Sequence, residues 1–516
     1  MRRFLFALLL SFFTDSILLG QEVDTVWVRR YNGPSNLSDY PRAIASDDSG
    51  NAYVTGQSFS YNTGYDYATL KYYPDGDTAW MRRYNGTGNK DDGAIALALD
   101  RTGDLYVTGW SVGTANYYDF GYATIKYRQN GDTAWVRRYE GPVQGLDDAA
   151  TGLTIDSSGN IYVTGHSWDT GTCDDYATFK YSADGDLVWL KRYSGAGCNY
   201  DQPNALGVDG TGHLYVTGLS FNDQTGSDYL TIKYQPDGDT AWVRKYDGQG
   251  SSDDDASAMV IDGSGNVYVT GAGYNSFTDF DYTTIKYYPN GDTAWVRSYN
   301  GPGNSEDRAT ALALDRERNL YVTGYSYSSQ TDFDYATLKY DSSGNLLWVT
   351  RYNGPGNGND QATALSLDDS GNVYVTGGSS GIGTNLDFAT LKYDPSGNLR
   401  WVKRYNGRGN GNDIAVALTV DRSGGIILTG QSYEKETKDD YVTIKYSQLL
   451  FYRGDANQDK KVTISDIVYL ISYLFKGGPP PYPFASGDCN CDGTVTISDV
   501  IFLVSYLFKG GPKPEC

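Results

Sequence analysis

A block of 53 residues returns eight times between Trp27 and Tyr446. The tetrad Tyr53-Val54-Thr55-Gly56 recurs with its tyrosine at Tyr106, Tyr162, Tyr215, Tyr268, Tyr321 and Tyr374, then once more, degenerate, as Ile427-Leu428-Thr429-Gly430. Every interval is 53 residues except the second, which is 56. A period of this length marks one supersecondary unit that cannot bury its own apolar faces and must stack on copies of itself. A closed or stacked array with a tail is expected, not a conventional enzyme fold.

Each unit reads as four strands. In residues 43–84, Ala43-Ile44-Ala45 is short and apolar, and Asp47-Asp48-Ser49-Gly50-Asn51 is turn chemistry. Ala52 to Gly56 makes a second strand, and a variable loop leads to a β-branched and aromatic third, Tyr67 to Tyr72. Pro74-Asp75-Gly76-Asp77 turns the chain into a fourth, Ala79 to Tyr84. Four antiparallel strands repeated eight times indicate a β-propeller. The first copy supplies only its fourth strand, Val26 to Tyr31, and the last stops after its third, Tyr441 to Tyr446. That offset lets the N-terminal strand complete the last blade and close the ring. Eight blades are expected, with seven plus an irregular element as the alternative.

Composition agrees: 62 glycines and 47 tyrosines in 516 residues suit short strands joined by glycine turns. A formal charge of -21 argues against a nucleic-acid partner, which needs clustered Lys and Arg, and against docking on anionic lipid. Residues 1–20 read as a signal peptide, with Arg2-Arg3 ahead of an apolar run from Phe4 to Phe13 that is too short to span a bilayer. No membrane span is expected, and the mature protein should be secreted, extracellular or attached at the cell surface. Five cysteines in an exported chain suggest disulfides. Cys173 and Cys198 flank a hairpin that places them almost opposite each other, so a bridge is expected there. Among Cys489, Cys491 and Cys516, one pair and one leftover thiol are expected.

The run Asp156-Ser157-Ser158-Gly159-Asn160-Ile161-Tyr162-Val163-Thr164-Gly165 resembles the bacterial β-propeller repeats called SBBP. The resemblance covers roughly residues 22–446 and implies a fold, with almost nothing about chemistry. An Asp stands 14 residues before each tetrad (Asp39, Asp92, Asp148, Asp201, Asp254, Asp307, Asp360, Asp413), and another precedes the third strand in seven copies (Asp66, Asp175, Asp228, Asp281, Asp334, Asp387, Asp440). Two acidic rings on one face follow. They are a cation or ligand surface, or, as the preferred reading, carboxylates that pin their own loops. Lys in the third strand is expected to be a solvated cross-strand partner, and the eight repeated tryptophans to pack blade on blade. Functional residues should break the repeat, as do Trp110, Tyr117, Tyr118, Trp168 and His166; His213 is read as incidental.

The character of the chain changes at residues 454–516, after a linker at 447–453. Oxygen ligands at positions 1, 3, 5 and 12 of a 12-residue loop, with a backbone carbonyl at 7, meet the requirements of calcium. Residues 455–466 supply Asp455, Asn457, Asp459, Lys461 and Asp466; residues 488–499 supply Asp488, Asn490, Asp492, Thr494 and Asp499. Gly493 favours the tight wrap, whereas Lys460 at the same place predicts weaker binding. Each loop leads into a short apolar helix, Ile467 to Phe475 and Val500 to Phe508. Two such half-EF-hands resemble a type I dockerin domain. The resemblance implies two Ca2+ ions, a cohesin-like protein partner, and specificity set at Ile464, Ser465, Ile497 and Ser498. Ile departs from the polar pairs common in cellulosomal members, and a basic patch is missing.

The expected function is a secreted, calcium-dependent docking or scaffold protein, with a non-catalytic propeller for protein or extracellular glycan. The alternative is a dockerin-tethered polysaccharide-active enzyme, an O-glycosyl hydrolase, for which no catalytic residue stands out.

Overall fold

The structure is a computed structural model, and it describes residues 19–115, 119–195, 199–250 and 252–514. Most of the expected leader, together with Tyr117, Tyr118, Cys198 and Cys516, lies outside the described residues. The chain divides into two compact units, Thr25–Tyr446 and a second that combines residues up to Asp24 with those from Ser447 onward.

The larger unit is an eight-bladed β-propeller of four-stranded antiparallel sheets. Its first complete blade runs Asp39–Ser46, Ala52–Ser60, Gly64–Tyr72 and Thr78–Tyr84. The second and third strands are longer than the apolar pattern alone marks. Their pairing continues through Phe59 with Tyr65 to Ser60 with Gly64, so the connection is only residues 61–63. Rings of Phe59 and Tyr65 meet edge to face at 5.2 Å and hold the extension together. First strands of successive blades touch all the way round, the last against the first, and so line the centre. The opening strand Leu19–Tyr31 is the outer member of the final sheet, beside Lys438–Tyr452. Eight sheets closed in this way dispose of the seven-blade alternative. The closing strand also runs on through residues 447–452, the segment read from sequence as a linker.

The core is built between blades. Tyr53, Tyr67 and Trp80 of one blade bury against Leu105, Val107, Ala123, Ile125 and Tyr127 of the next. At the closure Trp27, Ile427 and Tyr441 bury against Ala52, Val54, Ala68, Leu70 and Tyr72. Burial of each such side chain contributes about 2 kcal/mol. The tetrad explains itself here. Thr55 Oγ1 meets Thr69 Oγ1 at 2.8 Å inside the blade. Tyr53 donates its hydroxyl to Asp47 Oδ2 (3.0 Å), whose Oδ1 accepts the N–H groups of Ser49 and Asn51. Gly56 faces a bulge in the first strand, where an added Cβ would lie 2.1 Å from the Tyr40 carbonyl and 2.6 Å from the Tyr441 hydroxyl of the neighbouring blade.

In the tail, helices α1 (Ile464–Lys476) and α2 (Ile497–Lys509) pack together over Ile467, Leu470, Cys489, Val495, Val500 and Leu503. Each starts at a capping box, Thr463 with Asp466 and Thr496 with Asp499, and ends at a left-handed glycine, Gly477 or Gly510.

Candidate functional site

The acidic rings of the propeller are engaged within it. Asp39 accepts the Gly33 N–H at 2.5 Å and the Phe59 N–H at 3.1 Å, and Asp307 and Asp413 repeat both bonds with their own loops. Burial nonetheless pushes Asp39, Asp92, Asp148, Asp254 and Asp307 up to about 6. In the second ring an arginine from the fourth strand reaches the Asp of its own blade: Arg83–Asp66 at 2.6 Å, Arg192–Asp175 at 2.9 Å, Arg351–Asp334 at 2.8 Å, Arg404–Asp387 at 2.9 Å and Arg30–Asp440 at 3.2 Å. These carboxylates are the architectural pins that the preferred sequence reading describes.

The repeated lysines are a correction. They are not solvated: Lys180, Lys233, Lys286 and Lys339 are buried, and each donates to a turn carbonyl of the next blade, as Lys180 does to Pro236 at 3.0 Å. Their ammonium groups also lie over the tetrad tyrosines, 5.2 Å for Lys180 on Tyr162. Outer-strand position alone misled, because one face of that strand meets the neighbouring blade. The tryptophans do pack between blades, and Trp189 donates its indole N–H to the same Pro236 carbonyl at 3.2 Å.

Where the repeat breaks, His166 stands half-buried with Nδ1 unpartnered and Nε2 3.6 Å from Asp147. Asp174 Oδ1 beside it is also unpartnered, and burial holds this carboxyl above its usual range. Trp110 rests edge to face on Phe120 at 5.3 Å. His213 is tied to Thr211 and Asp209 of its own turn.

The tail loops are shaped by backbone N–H groups that aim the carboxylates inward. Asp488 accepts from the amides of Asp492 and Gly493, and Asp499 from those of Cys489, Asn490 and Thr496. One oxygen from each of Asp488, Asp492 and Asp499 lies within 4.8 Å of the others, the spread available to ligands about 2.4 Å from one ion. This donor set of carboxylate and carbonyl oxygen fits a hard divalent cation. Asp455, Asp459 and Asp466 of the first loop follow the same bonding pattern without forming so close a trio among the described residues. There Lys460 takes the left-handed conformation, φ 65°, that Gly493 adopts without strain in the second loop. Burial and the charges of Asp455 and Asp459 raise Asp466 above the usual carboxylate range, which a bound cation would reverse.

Residues 453–508 match the family described as the dockerin type I domain, and residues 26–62 and 135–171 match the beta-propeller repeat SBBP. The chain carries a type I dockerin domain behind SBBP propeller repeats. An uncharacterized WD repeat-containing protein of Acanthamoeba polyphaga mimivirus is 24% identical over 46% of this chain, which spans only 17% of that relative's length. Among solved structures, a Penicillium chrysogenum alpha-L-arabinanase bound to arabinobiose is 10% identical, with 68% of this chain and 91% of that chain covered and a TM-score of 0.37. A Bacteroides caccae protein of unknown function is 10% identical over 58% of this chain and 93% of its own, with a TM-score of 0.32.

Type I dockerins in general bind calcium and dock on cohesins. The position-12 residues Asp466 and Asp499 are also the capping residues of the dockerin helices, which couples metal binding to helix formation. Of the four residues expected from the resemblance to set specificity, Ile464 and Ile497 are exposed, while Ser465 and Ser498 bond back into their loops, accepting from Asn457 and Asn490. Sequence reading missed the rest of that face. Ile464, Val468 and Phe475 share one side of α1, and Ile497, Ile501 and Phe508 the equivalent side of α2, all between 49% and 66% exposed. Their i, i+4, i+11 spacing was the available signal. Cys489 is a buried free thiol, and Cys173 and Cys491 are disulfide-bonded. Cys198 and Cys516 lie outside the described residues. No helix among the described residues is long and apolar enough to cross a membrane.

Proposed function

We propose that the protein is exported and acts as a calcium-loaded docking scaffold, extracellular or at the cell surface. Two Ca2+ ions, held by Asp455, Asn457, Asp459, Lys461 and Asp466 and by Asp488, Asn490, Asp492, Thr494 and Asp499, fold the dockerin. Its exposed helix faces, with Ile464, Ser465, Ile497 and Ser498 at their starts, seat on a cohesin-like module. The propeller presents a protein or glycan ligand without catalysis. The duplicated apolar stripe carries this reading: six large apolar side chains stay in water on a module whose core is already filled. The full chain, immobilised in calcium, should retain recombinant cohesin modules and release them into chelator. Failure to retain any of a broad cohesin panel would overturn the reading.

A second reading, a glycan hydrolase, draws on His166 and the half-buried carboxyl of Asp174. Sugar released from a polysaccharide panel and lost in Asp174→Asn would establish it.

A further inference from the structure

At one blade junction four departures from the repeat coincide. Lys245 and Ser298 stand where Arg83, Arg138, Arg192, Arg351 and Arg404 stand in other blades. Asp247 stands where Asn32, Asn85, Asn300, Asn353 and Asn406 stand, and Gly273 replaces a serine such as Ser58 or Ser326. Each change removes a donor or adds an acceptor. Lys245 turns to Ser220 Oγ at 3.0 Å and forms no ion pair with Asp228 among the described residues. Thr225 Oγ1 does not reach the geometry of the Thr–Asp bond made at Thr63–Asp66 and Thr278–Asp281. Asp228 is only 3% exposed, and its Oδ1 has no hydrogen-bond partner, as is also true of Asp66, Asp175 and Asp334; those three have an arginine on Oδ2, and Asp228 has none among the described residues.

Carboxylate oxygens of Asp228, Asp247 and Asp254 nevertheless lie within 4.8 Å of one another. Asp228 comes from one blade and Asp254 from the next, with Asp247 on the connection between them. Asp254 is fixed by the Gly248 and Tyr274 amides at 2.5 and 2.7 Å, but has no serine or arginine beside it. Three converging carboxylates, at a junction where the Lys245 ammonium stands in place of the guanidinium groups, leave an excess of negative charge that a bound cation would offset. Their all-oxygen character and the open side at exposed Asp247, where water can complete the shell, suit calcium. We propose that Asp228, Asp247 and Asp254 bind one Ca2+ and clamp these two blades together, independently of the dockerin loops.

The test is calcium titration by calorimetry on the full chain with both dockerin loops silenced by Asp455→Asn and Asp488→Asn. One ion should bind, and Asp247→Asn should weaken it at least tenfold. The double change Lys245→Arg with Asp247→Asn restores what other blades carry; it should fold, by its tryptophan fluorescence, and bind none. No calcium bound by the loop-silenced chain, or binding unchanged in Asp247→Asn, would sink the proposal and leave the docking function untouched.

Discussion

Arg83 Nη2 lies 2.6 Å from Asp66 Oδ2, and the same guanidinium bonds Ser58 of its own blade and the Tyr31 hydroxyl of the blade before. One side chain thus satisfies a buried carboxylate and ties two blades together. Arg83→Ser, which copies Ser298, leaves Asp66 buried with only Thr63 as donor. The pair is about four-fifths buried on the arginine side, so its loss should cost about 2–3 kcal/mol, below the upper range for a fully buried pair. Urea unfolding followed by tryptophan fluorescence measures this. A loss under about 0.5 kcal/mol, the size of an ordinary surface change, would show that the pair is not a structural pin.

The two classes of repeated aspartate give opposite pH dependences. Burial raises Asp39, Asp92, Asp148, Asp254 and Asp307 to about 6, and Asp201, Asp360 and Asp413 also rise. Their folded values exceed the unfolded value of about 3.9, so their stabilisation is complete below that pH and is lost as pH rises through about 6. Asp47, Asp156 and Asp262 are lowered, because hydrogen bonds from their own turns outweigh burial. Their contribution is present above about 3.9 and is lost as pH falls further. The propeller melting temperature should therefore rise by several degrees between pH 7.5 and 5 and fall steeply below 4. All ten tryptophans lie between Trp27 and Trp401, so their fluorescence follows the propeller with no signal from the tail. A flat profile from 7.5 to 5 would count against the burial of the first acidic ring.

Periodicity made the propeller legible, since strand order, turns and closure follow from where the pattern starts and stops, although the second and third strands run on past it. What it hid are contacts made one period or one circuit away. Lys180 looks solvated until Pro236, on the next blade, supplies its carbonyl. Gly56 reads only as the end of a strand, and the reason no Cβ fits there appears when closure brings round the Tyr441 hydroxyl. Local spacing also marked both calcium loops, because loop ligands are close in sequence. Asp228 and Asp254 belong to different blades, and only the fold brings them together.

Calcium removal should separate the two units. Asp499 and Asp466 cap the dockerin helices, so chelator should abolish their far-ultraviolet signal while tryptophan fluorescence stays native. At a hundredfold excess over its dissociation constant, one ion adds about 2.7 kcal/mol to a folded state. Because the second loop converges more closely, Asp488→Asn should lower helix stability more than Asp455→Asn. Equal losses, read by circular dichroism in limiting calcium, would show that Lys460 does not weaken the first loop.

The stripes Ile464, Val468, Phe475 and Ile497, Ile501, Phe508 are copies with matched exposure, Val468 at 61% and Ile501 at 63%. A charge at either position changes little in the free domain, within about 0.5 kcal/mol, because the side chain already lies in water. Two equivalent faces offering one partner a choice lose only a statistical factor when one is removed. Val468→Asp or Ile501→Asp alone should weaken cohesin binding about twofold, an entropy of mixing worth about 0.4 kcal/mol. The double variant buries a carboxylate whichever face docks and should lose at least a hundredfold, about 2.7 kcal/mol. Calorimetry on the full chain distinguishes the cases. If either single change alone removed binding, the partner would be reading α1 and α2 together, and the stripes would be halves of one surface.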